Sequence, residues 1–131
     1  MTTPGPAPNR KTQNVAQDQW APFLADFTRE NRGAHARLTV IGRDTELGVR
    51  VETENRPFEG VSADLKDGER TVWISLGSGT KDHMTHGVPR ATAIRTLAAT
   101  EGGGTVLEVE SEDGTKTLVE LAPEGYELAA R

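Results

Sequence analysis

Residues 61–76, which read VSADLKDGERTVWISL, carry two runs of alternating apolar and polar residues on either side of an Asp-Gly pair. The apolar residues stand at every second position: Val61, Ala63, Leu65, Val72, Ile74 and Leu76. A period of two places successive side chains on opposite faces of a β-strand, and Asp-Gly favours the tight turn of a hairpin. This segment therefore predicts an antiparallel hairpin with one buried and one polar face.

The same period of two recurs in both directions along the chain. Further strands are predicted at residues 36–40, 47–51, 92–99, 106–110 and 116–121. Arg37 and Thr39 are expected to face solvent, and Asp113-Gly114 is expected to join the last two strands. About seven short strands with close turns indicate a mostly β protein, in the α+β class, built as a small antiparallel barrel or sandwich.

A helical repeat precedes the strands. Apolar residues recur at i, i+3, i+4 and i+7, the spacing that lines one face of an α-helix: Trp20, Phe23, Leu24 and Phe27. Asp18 is expected to cap the start of this helix, and Gly33 to provide its left-handed end. We therefore expect one N-terminal amphipathic helix that closes one end of the barrel or sandwich.

The length of 131 residues fits a single domain. Residues 1–14 hold three prolines and no large apolar side chain after Met1, which predicts a disordered tail. We expect the globular domain to span residues 15–122 and residues 123–131 to form a C-terminal tail.

The composition of the chain excludes or disfavours several classes of function. The chain has no cysteine, which removes disulfides, thiolate metal sites and cysteine nucleophiles. Its net charge is −5 and its lysines and arginines are scattered, so nucleic acid is disfavoured as a partner. No apolar run reaches the ~18 residues of a membrane span, and the N-terminal segment lacks the apolar core of a signal peptide. We expect a cytoplasmic protein without a membrane partner.

Residues 77–89 show no period and are expected to form the longest loop. This loop contains Asp82, His83 and His86, whose carboxylate and imidazole groups are common ligands for zinc and related divalent ions. A complete site would need a further ligand, such as His35 or a distant carboxylate. In the alternative reading, which the sequence favours, Asp82 caps a turn and the histidines bond to the backbone.

The sequence does not match two other functional motifs, the glycine-rich phosphate-binding loop and the serine nucleophile elbow. The Gly77-Ser-Gly-Thr80 segment follows a predicted strand, but Asp82 stands where a dinucleotide or phosphate loop needs glycine. Gly-x-Ser-x-Gly is absent, so Ser75 and Ser78 beside His83 do not make a nucleophile elbow. The sequence assigns no catalytic residue and no cofactor other than a divalent metal.

Trp73 stands between the inward positions Val72 and Ile74. The alternation therefore directs Trp73 to the opposite face of its strand. An exposed tryptophan offers a large contact area at low entropic cost and often marks an interaction surface. Alternatively, a second layer such as the helix covers this face. The pattern leaves the two readings open.

The order of features along the chain resembles a known family. It comprises the Trp-x-x-Phe-Leu-x-x-Phe helix of residues 20–27, the Gly60–Leu65 strand, the Asp82-His83 pair and the Gly114-Thr115 turn. This order resembles a bacterial family of short proteins named domain of unknown function 5335, over roughly Trp20 to Leu121. The resemblance implies a stand-alone bacterial domain and brings no activity or catalytic residue with it.

The sequence leaves three hypotheses for the function of the protein. We expect a non-enzymatic binding or interaction module that takes a protein or a small ligand at Trp73 and residues 77–89. The alternative is a divalent-metal-binding domain or metal-dependent enzyme that uses Asp82, His83 and His86. A nucleic-acid-binding small barrel comes third, because the net charge opposes it.

Overall fold

The computed structural model describes residues 12–42, 49–78, 81–98 and 104–122. Within these ranges the chain forms eight strands and one α-helix, in the order β1 (Gln13–Val15), α1 (Trp20–Asn31), β2 (His35–Ile41), β3 (Val49–Asp64), β4 (Thr71–Ser78), β5 (Lys81–Val88), β6 (Ala91–Ala98), β7 (Thr105–Ser111) and β8 (Lys116–Ala122). All strand pairs are antiparallel, and they make one sheet in the order β1-β6-β7-β8-β2-β3-β4-β5.

The mostly β class with one helix near the N-terminus is confirmed, and the strand count changes. Two predicted strands, at residues 47–51 and 61–65, fall largely within the single long strand β3, and residues 47 and 48 lie outside the described ranges. Two strands were missed, namely the short β1 and the polar β5. Among the described residues β1 and β5 end the sheet order and do not pair with each other, so the pairing does not close a barrel.

Strand β3 makes the sheet curve. Its first half pairs with β2 and its second half with β4, with register shifts on both sides. Such bulges bend a strand and increase its twist. Side chains from β4 and β6, five positions apart in the sheet, therefore share one buried core with the helix: Trp20, Leu24, Leu38, Phe58, Ile74, Leu76, Ile94, Leu107, Val109 and Val119.

The helix buries the predicted apolar stripe. Trp20, Leu24 and Phe27 are buried and Phe23 is half-buried against the core. The expected cap at Asp18 is wrong, because Asp18 lies in a 3₁₀ turn before the helix and no side chain caps the first turn. The expected stop at Gly33 is confirmed by its φ of 93°.

The helix also covers a strand edge. Among the described residues, the second half of β3 pairs with a strand on one side only, and the Thr28 side chain of α1 lies against its other side. Thr28 Oγ1 donates to the carbonyl of Val61 at 3.1 Å and accepts from the Val61 N–H at 3.0 Å. One hydroxyl thus satisfies both polar groups of an edge residue, which a free edge would leave open to other strands.

Thr28→Val is expected to lower the free energy of unfolding by about 1–3 kcal/mol. Valine keeps the shape of threonine but removes both hydrogen bonds, and the Val61 backbone groups are left without partners. Urea unfolding of the wild-type protein, Thr28→Val and Thr28→Ser measures the difference. Thr28→Ser keeps the hydroxyl, so its stability should lie closer to wild type. A Thr28→Val variant as stable as wild type would show that the two hydrogen bonds contribute nothing to stability.

The alternation fails in β2. Arg37 and Thr39 were expected to face solvent, yet both are buried. Both side chains are buried because β2 lies in the interior of the sheet, where β8 and β3 flank it on either side. Glu120 stands opposite Arg37 on β8, and the Arg37 Nη2 lies 2.6 Å from the Glu120 Oε1.

The two Asp-Gly turns are confirmed. Asp67 and Gly68 have φ values of 56° and 78° between β3 and β4, and Gly114 has a φ of 89° between β7 and β8. The segment at residues 77–89 is not a loop, because β5 occupies most of it. Strand β1 includes Gln13 and Asn14, inside the segment assigned to the tail; residues 1–11 and 123–131 lie outside the described ranges.

Candidate functional site

Trp73 lies on the outer face of the sheet portion formed by β3, β4 and β5. Its side chain is 44% exposed, whereas its neighbours Val72 and Ile74 are fully buried. Among the residues that the structure describes, Trp73 is the only large hydrophobic side chain that is exposed to solvent. The indole therefore lies on the face opposite Val72 and Ile74, as the alternation predicted, and no second layer formed by the described residues covers it.

Small residues flank the indole on both sides. Ser62 on β3 and Gly87 on β5 stand directly opposite Trp73 in the sheet register. A Cβ atom at Gly87 would lie only 2.6 Å from the Trp73 Cζ3, so the ring rests against the β5 backbone. Glycine at this position lets the indole pack on the strand and keep part of its surface in water.

A row of polar side chains continues the same face. The Glu59 Oε1 lies 2.9 Å from the His83 Nδ1, and the His83 Nε2 lies 3.1 Å from the Thr85 Oγ1. Thr85 in turn contacts the Ser75 Oγ at 3.4 Å. We define the Trp73 face as Trp73 with these four residues and Ser62, all on the outer side of β3, β4 and β5.

The order carboxylate, imidazole and hydroxyl is that of a hydrolase triad, and its surroundings argue against that use. The side chains of Glu59 and His83 are 39% and 40% exposed, and Thr85 is exposed too. Water screens charges at such a place, whereas catalytic electrostatics need a preorganised site from which water is excluded. The row therefore lacks the water-excluded surroundings that covalent catalysis by such a triad requires.

The candidate metal ligands do not share one face. His83 lies on the outer face with Thr85, whereas His86 pairs with the buried Ile74 and points to the other side of β5. Asp82 lies in the same strand, and His35 lies on β2 between Pro57 and Ala122. Across the described part of the chain, no three His, Asp or Glu side chains cluster as a metal site would require. Metal binding by Asp82, His83 and His86 stays a prediction.

His86 instead lines a cavity of about 170 Å³ between the end of β5 and the β7–β8 turn. Arg90 and Asp113 lie at this cavity, and Arg90 has a left-handed φ of 52°. Hydrogen bonds from Thr115 hold the pKa of the Asp113 carboxyl below its ordinary value, and the charge of Arg90 acts in the same direction. These contacts explain how the turn is held together.

A charged cluster lies on the outer face of β6 and β7. The Arg95 guanidinium contacts Glu110 at 2.8 Å and Glu108, and its Nε donates to the Asn14 Oδ1 at 2.9 Å. Hydrogen bonds to Glu110 and Glu108 raise the pKa of Arg95 above its ordinary value. The cluster ties β1 to β6 and β7, which is a structural role.

Sequence reasoning named Trp73 and His83 as candidate site residues but none of the other four members of the Trp73 face, which are Glu59, Ser62, Ser75 and Thr85. Glu59 stands at the bulge of β3, where the period of two breaks. Ser75 and Thr85 face each other across a strand pair that the loop assignment had removed. One pattern in the sequence could have indicated that β5 is a strand. The outward positions His83, Thr85 and Gly87 alternate with the inward apolar positions Met84 and Val88.

The fold and the site define an antiparallel β protein with one covering helix and an exposed aromatic face. The chain belongs to the family described as "Family of unknown function (DUF5335)", whose model matches residues 11–126. This finding confirms the resemblance. The chain is also similar to an uncharacterised protein of Aquifex aeolicus (strain VF5), with 26% identity over 112 residues that cover 86% of this chain and 93% of the relative. No solved structure matches the chain significantly. In the described residues, no helix is long and apolar enough to cross a membrane.

Proposed function

We propose that the protein is a non-enzymatic binding module and that the Trp73 face is its contact surface. The observation that carries the proposal is the 44% exposure of Trp73 on an otherwise polar face. A tryptophan side chain has about 250 Å² of surface, so roughly 100 Å² remains to be covered. At about 25 cal/mol per Å², covering it contributes roughly 2.5 kcal/mol to binding.

The indole is held in place before any partner arrives. Its strand is paired on both sides, and the ring rests against Gly87. A side chain that is already ordered loses little entropy on binding, so more of the contact energy appears as affinity. The polar side chains of Glu59, His83, Thr85 and Ser75 lie on the same face of the sheet and offer groups for directional contacts.

The two tryptophans provide an internal comparison for the test. The Trp20 indole is buried and donates to the Val15 carbonyl at 2.9 Å, whereas the Trp73 indole is exposed. Their indole N–H signals in a ¹⁵N-labelled sample are titrated with neutral oligosaccharides, nucleotides and basic peptides. A saturable shift of the Trp73 signal, with the Trp20 signal unmoved, is the expected result for at least one class.

Trp73→Ala lacks the indole signal, so its binding is followed by backbone amide shifts. The affinity should fall at least tenfold, since roughly 2.5 kcal/mol of contact is removed and 1.4 kcal/mol corresponds to a factor of ten. Thr92→Ala, an exposed substitution on β6, serves as the matched control and should leave the affinity unchanged. The proposal is wrong if no class moves the Trp73 signal. It is equally wrong if a class binds with the same affinity to the Trp73→Ala variant.

A further inference from the structure

We infer that the ligand of the Trp73 face is a neutral saccharide, one of whose rings stacks on the Trp73 indole. The inference rests on the proposed function and names the ligand class for the same surface. A pyranose ring has an apolar face of C–H groups and a rim of hydroxyls. The Trp73 face has the complementary arrangement, with a single flat aromatic ring beside a row of hydrogen-bonding side chains.

The apolar part of this surface has the size of one ring. A stable protein interface buries about 800 Å² on each partner and places several aromatic or aliphatic side chains at its centre. In the described part of the chain, Trp73 is the only exposed large hydrophobic side chain. Ser62 stands opposite it on β3, and Ser75 lies two residues further along β4 on the same face. A flat ligand of ring size covers this apolar area without burying the hydroxyls against apolar groups.

The polar row offers both kinds of hydrogen-bonding group. The Glu59 carboxylate accepts, while the hydroxyls of Ser62, Ser75 and Thr85 donate and accept. The His83 ring lies between Glu59 and Thr85, with its Nδ1 2.9 Å from the Glu59 Oε1 and its Nε2 3.1 Å from the Thr85 Oγ1. A sugar hydroxyl is likewise donor and acceptor at once, so adjacent hydroxyls of one ring can bond to this mixed row.

The charge of the face argues against phosphorylated ligands. Bases of nucleotides and single-stranded nucleic acids also stack on tryptophan, but their phosphates need nearby lysines or arginines. The charged residues described on the outer side of β3 are Glu59 and Asp64. One exposed lysine, Lys66, follows in the turn, where its backbone N–H donates to the Asp64 Oδ1. The Arg32 Nε is engaged with the Glu59 carbonyl at 3.4 Å. With a net charge of −5 for the chain, a neutral ligand suits the face best.

The test uses the full chain and four neutral probes: maltotriose, cellotriose, mannotriose and chitotriose. Titration is followed by the Trp73 indole N–H signal, with the Trp20 signal as the internal reference. At least one trisaccharide should shift the Trp73 signal saturably. Its affinity should change less than twofold between 50 and 500 mM salt, because a neutral ligand releases no counterions.

Two variants locate the contacts. Glu59→Gln keeps the shape of the side chain and should weaken saccharide binding about three- to tenfold, since a charge-assisted hydrogen bond is lost. Gly87→Ala should weaken it further, because the added Cβ would displace the Trp73 ring. Thr92→Ala on β6 remains the control, and unfolding curves establish that each variant is folded.

The outcomes separate the two proposals. If AMP or a lysine-rich peptide shifts the Trp73 signal and none of the four trisaccharides does, the saccharide inference is overturned and the binding module stands. If a trisaccharide binds but Glu59→Gln and Gly87→Ala both retain full affinity, the assigned contacts are wrong and so is the inference. If no probe of any class moves the Trp73 signal, both proposals fail.

Discussion

Phe27→Ala is expected to lower the free energy of unfolding by about 3–5 kcal/mol, the usual cost of emptying a buried aromatic site. Phe27 is buried on the core face of the helix. Its ring meets the Phe58 ring edge to face, with 5.8 Å between the centroids, and lies 6.0 Å from the Phe23 ring. The substitution therefore leaves a cavity between the helix and β3, and it also removes the aromatic contacts.

Denaturant unfolding of the wild-type protein and two variants measures this loss. Phe23→Ala is the matched control, because Phe23 lies on the same helix and is only half-buried. Its cost should be clearly smaller, since less apolar surface leaves contact with the core. Equal stability of Phe27→Ala and wild type would contradict the packing of the helix as a core element.

Gly104→Ala is expected to lower the free energy of unfolding by roughly 2–3 kcal/mol. Gly104 directly precedes β7, and a Cβ atom there would overlap the carbonyl oxygen of Leu121 on β8. The obstacle is backbone that takes part in strand pairing, because Thr105 pairs with Leu121. The two strands must therefore move apart at this end, and overpacking of this kind costs about 1–3 kcal/mol or more.

Gly60→Ala provides the comparison for Gly104→Ala. A Cβ atom at Gly60 would lie 3.2 Å from the Thr28 Cγ2, a side-chain methyl group that can shift by a few tenths of an ångström. We expect its effect to stay within about 1 kcal/mol, because alanine also reduces the entropy of the unfolded chain. A loss at Gly104 as small as about 1 kcal/mol, the upper limit expected for Gly60, would show that Gly104 does not approach β8 as closely as described.

Local patterns were sufficient for the features that depend on neighbouring residues. The apolar stripe from Trp20 to Phe27 predicted the helix and its buried face, and the Asp-Gly pairs predicted two hairpin turns. The alternation around Trp73 predicted that its indole lies on the face opposite Val72 and Ile74, and left open whether that face is exposed. Each of these depends on helix or strand periodicity, or on the φ values that a tight turn requires.

Pairing partners required the tertiary structure. Strand β5 carries few apolar side chains, so its sequence resembles a loop, and it becomes a strand because β4 offers it an edge. The bulge at Glu59 shifts the register of β3, which brings that carboxylate to His83 from a position distant in sequence. Arg37 is buried because β8 and β3 flank its strand and Glu120 stands opposite.

The sequence by itself therefore determined the class of the protein, its helix, its turns and the direction in which Trp73 points. The tertiary structure alone decided what surrounds that indole: Gly87 beneath the ring, and the row from Glu59 through His83 and Thr85 to Ser75. The physical reason is that a strand's own pattern sets which side of the sheet each residue faces. Which residues meet on that side depends on register and bulges, and these are set by contacts between segments far apart in the chain.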